Sequence, residues 1–390
     1  MIRRELTINK HSSFLLLGAR GTGKTRLINQ QFGDDKPLII DLLLPRTYQQ
    51  LLADPESLSG MILPAIREKR LIVIDEVQRV PALLDLAHYH IEKSGAQFGL
   101  TGSSARKLKR GGANLLAGRA ITYNLYPLLE SEIGSSFDLA RALQLGTLPK
   151  PTTDSDHESA ILYLESYVDT YISQEIIAEQ IIRKLPPFHR FLGVAAQSNG
   201  RIVNYSSIAR DCQTDSSNVQ NYFQILEETL IGFTIPGYNA SIRKQQRSAP
   251  KFYFFDTGVV RAITNQLRIP CQPGTYEWGR LFEAFIISQI KASLDYKRAR
   301  AQLSYILTKG GAEIDLVVEH PDQKTYCIEI KSGKTIHTGE LKNLKDLSKD
   351  INNATPICIY AGDIPQVCDD VVVLPYREGI SKVVNKADLV

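Results

Sequence analysis

Gly18-Ala19-Arg20-Gly21-Thr22-Gly23-Lys24-Thr25 follows the apolar run Phe14-Leu15-Leu16-Leu17 and precedes Arg26-Leu27-Ile28-Asn29-Gln30. In order, these pieces read as a buried strand, a glycine-rich turn and the opening of a helix. That is the setting in which G-x-x-x-x-G-K-[ST] forms a phosphate-binding loop. Gly18, Gly21 and Gly23, with Thr22 between them, let main-chain N–H groups converge on phosphate oxygens where a larger side chain would collide. The start of the helix adds partial positive charge at the same spot. Lys24 is placed to reach the β- and γ-phosphates, and the Thr25 hydroxyl to help hold Mg²⁺.

A second stretch, Leu71-Ile72-Val73-Ile74-Asp75-Glu76, is an apolar run ending in two carboxylates. A central parallel strand delivers such residues at its C-terminal edge. There Asp75 would coordinate the metal through water, and Glu76 would polarise the water that attacks the γ-phosphate. The two stretches together read as a nucleoside triphosphatase. Strands are expected at 14–17, 38–41, 71–75, 97–102 and 120–125, alternating with helical or loop segments. Alternation of this kind implies a parallel sheet covered on both faces. The fourth of these strands ends Leu100-Thr101-Gly102-Ser103-Ser104, where Ser103 or Ser104 either senses the γ-phosphate or caps the next helix. An arginine supplied in trans accelerates phosphoryl transfer by orders of magnitude. Arg106, Arg110 and Arg119 are the candidates, each equally suited to a solvated surface. A trans arginine implies a homo-oligomer.

The chain has 390 residues, too many for one ordinary core, so two or three domains are expected. With 43% hydrophobic and 23% charged residues it has the composition of a globular protein. A net charge of +4 is mild, so any nucleic-acid surface must be local. Cys212, Cys271, Cys327, Cys358 and Cys368 are scattered without zinc or redox spacing, which fits free thiols in a reducing compartment. No apolar run approaches the ~18 residues of a membrane span. The expectation is a cytoplasmic protein that does not engage a membrane.

Beyond the hinge marked by Pro149, Pro151 and the polar run 152–157, apolar residues recur at helical spacing over 159–182. The middle segment then reads as a winged helix: one helix from Pro186-Pro187 to Asn199-Gly200, a second over 206–212 and a third over 216–229. Two β segments follow at 230–238 and 251–256, with Arg243, Lys244 and Arg247 in the loop between them. Asn218 and Asn221 on the third helix can read base edges, and the loop cations suit phosphates. In the last part a helix over 276–292 carries Glu283, and strands at 303–307, 312–319 and 326–331 carry Asp315, Glu329 and Lys331. The period of two puts Glu329 and Lys331 on one face with Cys327, and hairpin pairing brings Asp315 beside Glu329. Two carboxylates and a carbonyl suit Mg²⁺; Lys331 would orient the attacking water, and Glu283 would hold an outer one. The same residues also fit a cross-strand ion pair on a solvated sheet face.

These segments resemble a family of prokaryotic AAA-type ATPases. In it a P-loop domain is followed by a helical and winged-helix region and a C-terminal restriction-endonuclease-like domain. The resemblance rests on residues 18–25, Asp75-Glu76-Val77-Gln78, Leu100-Thr101-Gly102-Ser103, Gly118-Arg119 and Tyr126-Pro127-Leu128. It continues through Phe254-Phe255-Asp256-Thr257-Gly258, 279–283, 311–315 and 328–331. It implies an α/β chain with an ATPase domain at 1–150, a helical connector and winged helix at 151–268, and a nuclease-like domain at 269–390. It implies ATP and Mg²⁺ at Lys24, Thr25, Asp75 and Glu76, and a nuclease-type site of Glu283, Asp315, Glu329 and Lys331. The activity implied is an ATP-hydrolysing, DNA-associated enzyme. Two rivals share these residues: a branch-migrating motor whose last domain grips DNA without cutting, and a nucleotide-switched scaffold.

Overall fold

Runs of Leu, Ile and Val too short for helices build the first sheet: β1 (Ser13–Leu17), β2 (Leu38–Asp41), β3 (Ile72–Asp75), β4 (Phe98–Gly102) and β5 (Ala120–Asn124). The computed structural model describes residues 2–104, 118–172, 185–238 and 249–386. It divides the chain into Met1–Tyr126 with Ile225–Ile231, and Pro127–Gln224 with Gly232–Val390. In the first unit all five strands are parallel, in the order β2-β3-β4-β1-β5. The crossovers are made by α1 (Lys24–Phe32), α2 (Pro45–Ala53), α3 (Ser57–Arg67) and α4 (Leu83–Ser94). Their apolar faces bury Leu51, Leu58, Ile62 and Leu84 against Ile72, Ile74 and Leu100 of the sheet. Because β1 and β3 both flank β4, the loop after β1 and the carboxylates after β3 emerge at the same edge.

In the second unit, α5 (Leu139–Leu145) follows a single helical turn at Glu130–Ile133, and α6 (His157–Ser166) follows a short helix at Pro149–Thr153, where a hinge had been expected. Asp156 caps α6 by accepting from the N–H groups of Glu158 and Ser159, so the helix starts at His157 rather than at 159. Its α-winding stops at Ser166 and gives way to a π-helical turn, Tyr167–Ile172, where regular helical spacing had been expected to continue. Next come α7 (Leu185–Gln197), α8 (Tyr205–Asp211) and α9 (Ser216–Glu228). They are followed by an antiparallel ribbon of β6 (Gly232–Ile235) and β7 (Lys251–Phe254), shorter than the segments expected there. Phe191 packs edge-on against Phe223, which in turn meets Phe252 of the ribbon, so aromatic contacts fasten the helices to the strands.

After α10 (Thr257–Ile263) and the long α11 (Tyr276–Tyr296) comes a mixed sheet of β8 (Gln302–Leu307), β9 (Glu313–Glu319), β10 (Thr325–Lys331), β11 (Ala354–Tyr360), β12 (Gln366–Cys368) and β13 (Val371–Pro375). Its order is β12-β13-β11-β10-β9-β8, antiparallel from β8 to β10 and parallel across β10, β11 and β13. Two further helices, α12 (Lys342–Ser348) and α13 (Tyr376–Asn385), complete it. Leu341 and Leu344 pack with Cys327 and Cys358, while Ile328 and Ile330 are buried on the opposite face. Both faces of β10 are thus covered, which removes the solvated face that a simple surface ion pair would need. All five cysteines are free thiols. Among the described residues no helix is long and apolar enough to cross a membrane.

Candidate active site

The loop after β1 takes its shape from glycine. A Cβ on Gly18 would lie 2.6 Å from the Leu125 carbonyl oxygen and 2.8 Å from Thr22 Oγ1. Gly23, at φ 94°, enters α1 in the left-handed region, and no side chain caps that helix. Its first N–H groups therefore point into the loop, the usual arrangement for an anion site. Thr22 Oγ1 donates to the Ala19 carbonyl at 2.8 Å, and Lys24 Nζ donates to the Gly18 carbonyl at 2.9 Å. Arg4 grips the same loop from outside, donating to the carbonyls of Thr22 at 2.8 Å and Tyr126 at 2.7 Å.

At the edge of β3, Thr25 Oγ1 donates to Asp75 Oδ2 at 2.8 Å, and the Thr101 hydroxyl donates to Asp75 Oδ1. Asp75 is 5% exposed, and among the described residues only these hydroxyls, and no cation, are paired with it. A carboxylate buried without a cationic partner is costly, and a divalent cation held between Thr25 and Asp75 would relieve that cost. The residues fit Mg²⁺, which would neutralise charge on phosphate oxygens.

Glu76 follows in the left-handed conformation, φ 60°, which is rare outside glycine and asparagine and is often found where function requires it. Its N–H donates to Thr101 Oγ1 at 3.0 Å. Its carboxylate accepts from Gln78 Nε2 and from Ser103 Oγ at 3.4 Å, and lies 3.8 Å from Lys24 Nζ. Gln78 Nε2 also donates to Ser103 Oγ at 3.0 Å. Lys24, Thr25, Asp75, Glu76 and Ser103 are thus brought together. Thr101, Gln78 and Arg4 join them without having been singled out. Thr101 and Gln78 lay inside stretches already quoted for their neighbours; Arg4 carried no motif signal.

Arg119 is ion-paired with Glu92. Arg106 and Arg110 lie outside the described residues, as do Arg243, Lys244 and Arg247. The Asn218 amide donates to Thr214 Oγ1 at 3.1 Å and Asp215 Oδ2 at 2.7 Å, so it serves the start of α9. Asn221 lies one turn further along that helix.

In the second unit the β9–β10 hairpin pairs Leu316 with Ile328, so the next pair along is Asp315 and Glu329. There Asp315 Oδ2 accepts the Ile330 N–H at 2.7 Å, and Lys331 Nζ meets Glu329 Oε1 at 2.7 Å. Burial, then the charges of Glu283 and Glu329, push the Asp315 carboxyl far above its ordinary range. Burial also raises Glu329, with Lys331 pulling the other way. Lys251, which no motif marked, enters this cluster from β7. Its ammonium lies 2.5 Å from Glu313 Oε1 and 3.5 Å from Glu283 Oε1, beside the Tyr305 ring. Burial opposes its charge, but Glu283 and Glu313 hold its pKa above the ordinary lysine range. Glu283 also accepts from the Tyr253 hydroxyl at 2.9 Å. Glu283 is thus engaged by Lys251 and Tyr253, and its charge also bears on Asp315 and Glu329. Among the described residues no group of three or more His, Cys, Asp or Glu is arranged to hold a metal ion. Two ammonium groups, Lys251 and Lys331, thus face the four carboxylates Glu283, Glu313, Asp315 and Glu329.

Residues 10–134 match the family model described as an AAA domain. Residues 136–268 and 278–378 match models described as domains of unknown function, DUF8612 and DUF4143. Two uncharacterized proteins, from Mycobacterium bovis and Mycobacterium tuberculosis, are each 28% identical over 367 residues, spanning 92% of this chain and 78% of their own. The loop after β1 and the carboxylates after β3 thus lie within the residues that match the AAA domain model.

Proposed function

We propose that the chain hydrolyses ATP at the β1–α1 loop and uses its second unit to hold DNA. The observation that carries the first part is Asp75, buried and, among the described residues, served only by the hydroxyls of Thr25 and Thr101 where Lys24 and Glu76 converge. Lys24 would exchange the Gly18 carbonyl for phosphate oxygens on binding. Thr25 and Asp75 would hold Mg²⁺. Glu76 would take the proton of the attacking water, with Gln78 and Ser103 fixing the orientation of its carboxylate. An arginine from a neighbouring copy would complete the site in a homo-oligomer; Arg119 could serve after leaving Glu92. ATP rather than GTP rests on the family resemblance. The test is phosphate release by the parent chain and by Glu76→Gln: the variant should keep nucleotide binding and lose turnover. Equal turnover in both contradicts the assignment.

For the second unit, Lys251 seated between Glu283 and Glu313 weighs against a free carboxylate cage for cutting, and the DNA hold rests on the family resemblance. The winged-helix reading of α7 to β7 supplies a further surface for the duplex. One observation favours metal-dependent cleavage as a second reading, namely that Asp315, Glu329 and Lys331 meet at one hairpin. Incubation with duplex, single-stranded and branched DNA in Mg²⁺ or Mn²⁺ separates the two. Binding without scission supports a gripping module. Scission lost in Asp315→Ala and Lys331→Ala supports the nuclease.

A further inference from the structure

Helix α11 carries Tyr276, Arg280 and Glu283 at successive spacings of four and three, so the three share one face. Arg201, just after the Asn199-Gly200 turn, comes to that face. Its Nη2 donates to the Tyr276 hydroxyl at 2.8 Å, and its guanidinium carbon lies 5.8 Å from the ring centroid. The Arg280 guanidinium lies 5.7 Å from the same centroid and donates to the carbonyls of Gln197 at 2.8 Å and Asn199 at 2.6 Å. Burial, then the Arg201 charge, pulls Arg280 below the ordinary arginine range. Two cations are thus held around one aromatic ring, and among the described residues neither is ion-paired with a carboxylate.

Glu283 and Glu277 offset the Arg280 charge in part, and an incoming anion relieves the remaining repulsion between the two guanidinium groups. Tyr276 stands out for a different reason: it is 69% exposed, unusual for a large aromatic side chain. Two glycines set this patch against the carboxylate–lysine cluster. A Cβ on Gly200 would come within 3.3 Å of the Tyr253 ring and 4.0 Å of Glu283 Oε1. A Cβ on Gly279 would lie 3.4 Å from Ser332 Oγ, the residue after Lys331.

We infer that Arg201, Tyr276 and Arg280 form a subsite for single-stranded nucleic acid, with backbone phosphates on the guanidinium groups and an unstacked base on the tyrosine ring. Guanidinium groups bind phosphate through charge-assisted hydrogen bonds, and an exposed aromatic face stacks any base. An acidic polypeptide would account for the arginines but leave the exposed ring without a role, and a duplex hides the base faces that such a ring needs. The inference rests on the proposal that the second unit holds DNA, and it names residues for that hold.

The test uses the full chain, a fluorescein-labelled oligo(dT) and the matching duplex, with anisotropy followed over a salt series. Tyr276→Ala should weaken oligo(dT) binding by about tenfold or more, the size expected for one lost base stack. Arg201→Glu should weaken it comparably and lower the salt dependence by about 0.7 per lost phosphate contact. Tyr276→Phe should keep most of the affinity. Unfolding temperatures matching the parent would show that these surface variants fold. Unchanged affinity in both Tyr276→Ala and Arg201→Glu would overturn the subsite while leaving DNA binding elsewhere intact. No binding of any oligonucleotide by the parent would defeat both the subsite and the DNA proposal. Selective binding of polyglutamate, or of the duplex over oligo(dT), would also overturn the subsite.

Discussion

Lys251→Met removes the ammonium group between Glu283 and Glu313 while keeping most of the side-chain volume. Lys251 is 4% exposed, so the two carboxylates would lose a cation that solvent replaces only in part. Removing one partner of a buried pair costs about 3–5 kcal/mol. The Glu313 side chain is 40% exposed and therefore screened, and Tyr253 still donates to Glu283, which puts the expected loss near the lower end. About 3 kcal/mol corresponds to a fall of about 6–12 °C in the unfolding midpoint of a unit this size. The pH dependence follows from the sign. Lys251 holds its proton more tightly in the folded than in the unfolded state. The deficit of the variant should therefore be full at neutral pH and shrink as pH rises past 10.5, where the unfolded lysine also loses its proton. Calorimetry at neutral and alkaline pH reads both effects, and Lys251→Met/Glu283→Gln should recover part of the loss. A midpoint unchanged at neutral pH, or no coupling between the two positions, would refute the idea that Lys251 balances the cluster.

Thr101→Val keeps the shape of β4 but deletes the hydroxyl shared by Asp75 and the Glu76 N–H. Steady-state assays should show lower turnover at saturating ATP, from a loss of about 1.5–3 kcal/mol for a hydrogen bond to a charged group. Burial raises the Asp256 carboxyl from 3.8 to about 6, against the opposing N–H donors of Thr147 and Val259. The folded state therefore holds that proton more tightly, and this group's contribution to stability falls as pH climbs from about 4 to about 6. Asp256→Asn should erase that slope in denaturant titrations and cost about 1–3 kcal/mol, because its NH₂ would face a backbone donor. Gly146→Ala should destabilise by about 1–3 kcal/mol, since φ is 72° there and the added Cβ would lie 2.0 Å from Asp256 Oδ1.

The first unit was legible because each of its signals is local. The loop 18–25 and the run ending in Asp75-Glu76 are contiguous, and a parallel sheet has one edge at which to gather them. The Asp315–Glu329 pairing was legible for a related reason, since a hairpin and a period of two fix which residues face each other. Lys251 was not legible. It sits on β7, read as the second strand of a wing, and joins the cluster through tertiary packing that no sequence spacing encodes. The π-helical turn after Ser166 escaped because the apolar spacing of that segment suits regular helix as well. Arg201 and Tyr276 are far apart in the chain, and their contact depends on where the turn at Gly200 aims the backbone.

The account depends most directly on the β1–α1 loop gripping a triphosphate. Titration of the full chain with a fluorescent ATP analogue in Mg²⁺, in parallel with Lys24→Ala and with excess unlabelled ATP, measures that step without requiring turnover or DNA. Saturable binding by the parent, displaced by ATP and lost in Lys24→Ala, is the predicted result. An absence of saturable binding in the parent, or equal affinity in Lys24→Ala, would contradict it.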